Sequence, residues 1–355
     1  MSNPYQDLGP NAYWRPAVAE AGPHGLTGLW SPKFRIRPRD RIVTAGSCFA
    51  QHIGRALSAR GYQWYDAEPA PTYLTPDDAN RFNYGIFSFR TGNIYTPKML
   101  LQWLHLAFDA GEVPDEIWQQ EGRFYDPLRP VIEPEGFASE DELRDARETT
   151  LAALRAAVTR AQVFVFTLGL TECWENRETG LQYAMCPGTT AGATFDPDRH
   201  EFRNGGFRTL YKELQQALRL MRAKNPDIKV LLTVSPVPLT ATASGEHVLT
   251  ATSYSKSVLR AVAGQMQAEL KFVDYFPSYE IITHPVFRGM FYGPNMRSVE
   301  KTGVDTVMGH FFADQERVFG SVAPKKRKKI VAHTPDTSAE DVKCEEELLS
   351  AFARK

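Results

Sequence analysis

Short apolar runs mark the chain at residues 41–46 (RIVTAG), 163–169 (VFVFTLG), 229–235 (KVLLTVS) and 271–275 (KFVDY). Each is rich in β-branched or aromatic residues, too short for a buried helix and bounded by turn residues. That is the pattern of strands covered on both faces of a parallel sheet. Segments with helical spacing alternate with them. Residues 49–59 follow the first run, 139–160 precede the second, 207–224 the third and 253–270 the fourth, and 303–312 follow the last. The second of these helices opens on SEDE, a capping-box pattern. The alternation predicts an α/β fold, a flavodoxin-like parallel sheet with helices on both faces and right-handed crossovers.

Residues 61–135 break the rhythm. They are rich in Pro, Tyr, Phe and Asn, and contain one helical pattern, 97–110, with Pro97 in its first turn. The expectation is a large loop-rich insertion or lid over the strand ends, with further loops at 176–205 and 236–251. The chain then divides into an N-terminal arm (1–35), the α/β domain (36–313) and a mobile C-terminal tail (314–355). The tail carries KKRKK at 325–329. This reads either as a nucleic-acid or localisation patch or, in its polar surroundings, as a solvated hinge.

Composition narrows the class. The 355 residues are 43% hydrophobic and 23% charged, with a net charge of −1. That is ordinary for a soluble globular chain and gives no general attraction to nucleic acid or an acidic membrane surface. The start, MSNPYQDLGPNAYWRP, lacks the basic-then-apolar pattern of a leader, and no run approaches the roughly 18 apolar residues of a spanning helix. Cys48, Cys173, Cys186 and Cys344 are scattered without CxxC spacing, which predicts neither a disulfide framework nor a metal site. A cytoplasmic protein without a cofactor is expected.

The chemistry concentrates in RIVTAGSCFAQHIGRAL, a strand, the turn Gly46-Ser47-Cys48, and a helix. The carboxyl edge of a parallel sheet is where such folds bind ligands. Cys48 falls at the start of the helix, where unsatisfied N–H groups and the positive dipole end favour a thiolate. The same N–H groups could stabilise an oxyanion. A small-residue turn around an inert buried cysteine stays open as the alternative.

The string GSCFA, followed in order by TLG, SPVPL, YSKSVLR and YFPSYEI, resembles the GSCFA-domain family, which is grouped with the SGNH/GDSL hydrolases. The resemblance runs from about residue 36 to 312. It implies an SGNH-hydrolase-like fold and acyl-ester hydrolysis or acyl transfer, including on polysaccharides. Laid on the Gly-Asp-Ser block, Gly46 and Ser47 precede Cys48 as the nucleophile. The second block, an oxyanion donor, falls on Gly85 or Gly92, with Asn83 or Asn93 as side-chain donors. The third places Gly169, Thr171 and Glu172 on Gly-x-Asn-Asp. Thr171 then offers a hydroxyl in place of an amide, and Glu172 orients a base or holds a cation. Helix capping is the other reading of this pair.

The Asp-x-x-His block departs from the pattern. Asn295 falls on the Asp and Ser298 on the His, and neither serves as acid or base near neutral pH. His284, in the loop after the last strand, is the first replacement candidate. His247 is the second, and His52, four residues after Cys48, the third. Each also reads as an ordinary structural histidine. Without a base to activate water, a thioester favours transfer over hydrolysis. Tyr73, Phe82, Tyr84, Phe87, Phe89 and Tyr95 read as a stacking surface for a sugar or acyl group, or as a local core. Arg90 and Arg81 are candidates for a carboxylate or phosphate, as on a coenzyme A donor. Two functions follow. One is an acyl-ester hydrolase or acyltransferase working through a Cys48 thioester on a small acyl or saccharide substrate. The other is a catalytically inactive SGNH-like module that binds saccharide or acyl ligands.

Overall fold

A computed structural model describes residues 3–321 and 342–353. Along the chain its elements are α1 (Gly22–Gly25), β1 (Ile42–Gly46), α2 (Phe49–Ala59), α3 (Pro76–Arg81), α4 (Pro97–Phe108), β2 (Trp118–Gln120), β3 (Arg123–Tyr125) and α5 (Glu140–Arg160). They continue with β4 (Val163–Leu168), β5 (Glu172–Asn176), β6 (Gln182–Tyr183), β7 (His200–Asn204), α6 (Phe207–Lys224), β8 (Lys229–Val234), α7 (Val248–Glu269), β9 (Val273–Tyr275), α8 (Ser278–Thr283) and α9 (Lys301–Phe319). A short 3-10 helix closes the described chain at Glu345–Phe352.

The central sheet is parallel, in the order β1-β4-β8-β9. Side chains alternate across it, so residue parity assigns each layer. Val43, Ala45, Phe164, Phe166, Val230 and Leu232 face a cluster shared with α4, α5, α6 and α7. Ile42, Val163, Val165 and Leu231 face the opposite cluster, built by α2, α8, α9 and the segment around Trp30 and Phe34. The α/β/α sandwich therefore matches the flavodoxin-like arrangement expected from the apolar runs.

The segment 61–135 is more deeply integrated than a lid. Thr96 caps α4 by accepting from the Met99 N–H at 3.2 Å, and Pro97 needs no hydrogen bond at the first turn. Met99, Leu100, Trp103 and Leu104 then pack into the main core. A buried ionic network ties the rest down. Asp126 accepts from Arg129 at 2.9 Å and Arg147 at 3.0 Å, while the Thr150 hydroxyl accepts from Arg129 at 2.7 Å and donates to Glu68 at 2.9 Å. Burial pushes the Asp126 carboxyl up, but the two guanidinium groups outweigh it and hold it below the usual range.

Two other expectations change. Within the loop expected at 176–205, β6 and β7 pair with β5, which ends at its start, as a three-stranded antiparallel sheet β6-β5-β7. Its strands, such as HEFRN, are too polar for a search based on apolar runs. Helix α9 continues to Phe319 because Asp314 and Gln315 are buried. Asp314 accepts from the Trp30 N–H at 2.9 Å and Gln315 from the Ile36 N–H at 3.0 Å. Residues 314–319 and the end of the N-terminal arm thus belong to the domain. The KKRKK stretch lies outside the described residues. Among the described residues, no helix is long and apolar enough to cross a membrane.

Candidate active site

Gly46 ends β1 at φ +122°, and a Cβ there would lie 2.3 Å from the Thr167 carbonyl oxygen of β4. Only glycine lets the two strands close at this point. Ser47 N donates to the same carbonyl at 2.9 Å, and Ile94 N donates to Gly46 O at 2.9 Å, so the turn is held from both sides. Cys48 follows as the N-cap residue of α2 and is 4% exposed. Ser47 is buried, and its hydroxyl has no partner among the described residues.

Cys48 does not face an open cleft. It lies against the C-terminal segment: Gln51, three residues further along α2, holds Lys343, the residue before Cys344, and both cysteines are free thiols. The neighbouring Cys344 thiol and burial push the Cys48 thiol well up, opposite to the shift expected from the helix start alone. Cys344 is pushed down, first by the Cys48 thiol and then by the Arg297 guanidinium, whose Nη2 lies 3.6 Å from Cys344 Sγ. The two thiols titrate as a pair, and the Arg297 guanidinium favours negative charge on Cys344. Burial works against the charge on Arg297, but Cys344 and Glu346 outweigh it.

Lys256 is the second cation. It lies on the buried face of α7 and donates to Gly169 O at 2.7 Å. Burial lowers its pKa to about 8, opposed by the charges of Glu346 and Cys48. Its neighbour Ser255 accepts from the Thr171 N–H at 3.1 Å. The YSKSVLR and TLG motifs therefore meet, and α7 pins the loop after β4.

Two side-chain amides complete the site. Gln51 Nε2 and Asn93 Nδ2 donate to one oxygen, the Lys343 carbonyl, at 2.7 and 3.1 Å. Gln51 Oε1 accepts from Lys343 N at 3.1 Å, so Gln51 clamps both polar groups of that residue. Gln51 and Asn93 are each 1% exposed. Beyond Tyr95 lies a largely apolar cavity of about 240 Å³, walled by Met99, Leu170, Trp174 and Phe202 and by Leu349 and Phe352 of the C-terminal segment.

The other sequence candidates are dispersed. Gly169 abuts the turn, where an added Cβ would meet Ser47 Cβ at 3.0 Å. Thr171 donates its hydroxyl to Asn204 at 2.7 Å and leads into β5 instead of capping a helix. Glu172 lines the cavity, and its carboxylate accepts from Thr242 at 2.7 Å. Asn295 donates to Ser298 Oγ at 2.9 Å. His247 and His284 each use Nδ1 to accept a backbone N–H, from Leu249 and Val286. His247 is exposed, and the His284 ring lies 5.7 Å from that of Trp14. His52 packs on Phe49, and burial lowers its pKa to about 4. The largest charged and thiol influences on Cys48 are Cys344, Arg297 and Glu346, and Lys256 also interacts with it.

The second-block alternatives separate clearly. Gly85 is exposed, and Asn83 donates to Val131 O at 3.4 Å. Gly92 and Asn93 instead lie against Glu345 beside the turn. Arg90 is committed internally, to Glu133 at 3.0 Å, Glu68 at 3.8 Å and the Phe82 carbonyl at 2.9 Å. Arg81 pairs with Glu135. Of the aromatic group, Phe87, Phe89 and Tyr95 are buried while Tyr73 is exposed.

Gln51, Lys256 and Arg297 were missed by sequence reasoning. Gln51 is three residues after Cys48 and so shares its helix face. Lys256 interrupts the buried stripe Leu259, Val262, Ala263 and Met266 at helical spacing, which was a legible signal. Arg297 lies between Asn295 and Ser298, and nothing local distinguishes it.

A model of the GSCFA family matches residues 41–311. No curated protein and no solved structure matches the chain.

Proposed function

The chain belongs to the GSCFA family, and from that premise and the geometry above we propose that it is an acyl-ester hydrolase or acyltransferase working through a Cys48 thioester. The observation that carries this reading is the pair of amides, Gln51 Nε2 and Asn93 Nδ2, converging on one carbonyl oxygen beside the thiol. Preorganised donors of this kind stabilise the negative charge that develops on a carbonyl oxygen under nucleophilic attack.

In this reading the Lys343 carbonyl marks where a substrate carbonyl sits. The Cys48 sulfur attacks that carbon, the Cys48 proton leaves to a neighbouring base, and the leaving alcohol departs protonated. Lys256, with its pKa lowered to about 8 by burial, is mostly a cation at neutral pH and favours the Cys48 thiolate, and its neutral fraction takes the proton in place of a histidine. Arg297 adds positive charge that favours the thiolate. The apolar cavity beside Tyr95 receives the acyl chain or the face of a sugar. An SGNH-type relationship accords with the strand–turn–helix placement of the nucleophile. A second reading, a binding module without turnover, draws on Asn295 and Ser298, which hydrogen-bond each other at the positions of the acid and base.

Intact-mass analysis of the reduced full-length chain after incubation with an activated aryl ester tests the proposal. One added acyl group on Cys48 is expected, with none at that position in Cys48→Ala. Acylation of Cys48→Ala at the wild-type rate removes the thioester reading. A stable adduct without turnover favours the binding module.

A further inference from the structure

We propose that residues 343–352 are a redox-operated latch on this site. With both thiols free the segment already docks over the nucleophile. A disulfide between Cys48 and Cys344 would lock it there, and reduction would return it to reversible docking. The inference rests on the reading of Cys48 as the working thiol, but its chemistry can be tested without turnover.

The segment is bound as a ligand would be. Gln51 and Asn93 grip the Lys343 peptide groups. The Thr240 N–H donates to Glu346 Oε1 at 2.6 Å, and Glu346 N donates to the Tyr95 hydroxyl at 3.3 Å. Arg297 holds Glu346 at 3.4 Å and Glu347 at 3.0 Å. The Asn93 N–H donates to Glu345 Oε1 at 3.5 Å, and Leu349 and Phe352 contribute to the lining of the apolar cavity. With the carbonyl cradle occupied by Lys343, a substrate carbonyl and the segment exclude each other. The position of Cys344 is the second observation. It is the residue immediately after the carbonyl gripped by Gln51, which lies three residues after Cys48 on the same helix, and the Cys344 sulfur lies 3.6 Å from Arg297 Nη2.

The thiol pair supports an ordered exchange. Cys344 is half-buried and Cys48 buried, so Cys344 meets a reagent first. The Arg297 guanidinium, 3.6 Å from its sulfur, favours its thiolate. The Cys344 thiolate attacks one sulfur of a low-molecular-weight disulfide such as glutathione disulfide, and one thiolate leaves. Cys48, losing its proton, then attacks the Cys344 sulfur of the mixed disulfide, and the second thiolate leaves. The protein has lost two electrons and two protons, and the small disulfide has become two thiols. A small-molecule dithiol reverses both steps.

The test uses the full-length chain, incubated with glutathione disulfide or with a dithiol reductant, then alkylated with iodoacetamide and digested. The expected result is a Cys48–Cys344 cross-linked peptide only in the oxidised sample, removed by re-reduction. Cys344→Ser should abolish it. In the reduced state, Glu346→Lys sets a cation against Arg297 and loosens the segment. Cys48 should then alkylate about tenfold faster than in wild type. Absence of the cross-link under oxidation, or pairing of Cys48 with Cys173 or Cys186 instead, overturns the lock. An unchanged Cys48 alkylation rate in a folded Glu346→Lys chain overturns the claim that the segment covers the site. Neither result depends on acyl transfer, so failure of the latch and failure of the enzyme reading are distinguishable.

Discussion

Replacing Lys256 by Met tests whether a buried cation stands beside the nucleophile. Lys256 is 2% exposed, and burial lowers its pKa from the ordinary 10.5 to about 8. A gap of about 2.5 pH units corresponds to about 3 kcal/mol for carrying the charge in the folded protein. Because the folded pKa lies below the unfolded one, the unfolded chain binds the extra proton between about pH 8 and pH 10.5. Stability contributed through this group therefore rises with pH across that window. Below pH 8 the cost is fully present, and above pH 10.5 it is gone. Methionine has no such window. It also loses the bond to Gly169 O; the part that a neutral amine keeps, about 0.5–1.5 kcal/mol, is an offset common to both pH values. Urea unfolding of both proteins at about pH 7.5 and pH 10.5 measures the difference. Wild type should gain about 3 kcal/mol relative to Lys256→Met between the two conditions, while tyrosines and other groups remote from position 256 cancel. A difference that stays flat within about 1 kcal/mol, or moves the other way, refutes the reasoning. At neutral pH the same variant should alkylate Cys48 more slowly, because a cation favouring the thiolate has been removed.

Gly46→Ala should destabilise the chain by about 3–5 kcal/mol, since a Cβ 2.3 Å from Thr167 O combines backbone strain with overpacking. Equilibrium unfolding that places it within about 1 kcal/mol of wild type contradicts the assigned turn. Asn93→Ala removes one of the two amides on the carbonyl oxygen and should slow acylation of Cys48 by about 10²-fold. A rate within threefold of wild type by stopped-flow assay with the aryl ester shows that Asn93 is no oxyanion donor.

Local sequence determined the sheet and the turn. Runs such as VFVFTLG and KVLLTVS have only one good burial solution, covered on both faces, and that solution specifies β4 and β8 at the centre. Gly46-Ser47-Cys48 was legible because a strand meeting a helix at a glycine is encoded within a few residues. The sheet β6-β5-β7 was not legible, because polar strands announce themselves only through their partners. Nor was the environment of Cys48. Gln51, Asn93, Lys256, Arg297 and Cys344 come from five separated parts of the chain. Helix-dipole reasoning predicted a lowered thiol pKa at Cys48, and that rule holds where water or cations are the only other neighbours. A burying segment and a second thiol reverse the sign. Residues 343–352 looked like part of a dispensable tail because their few apolar side chains cannot form a core alone. Folded against the strand ends, the same residues find two amides, an arginine and an apolar cavity already in place, and only the tertiary structure brings those together.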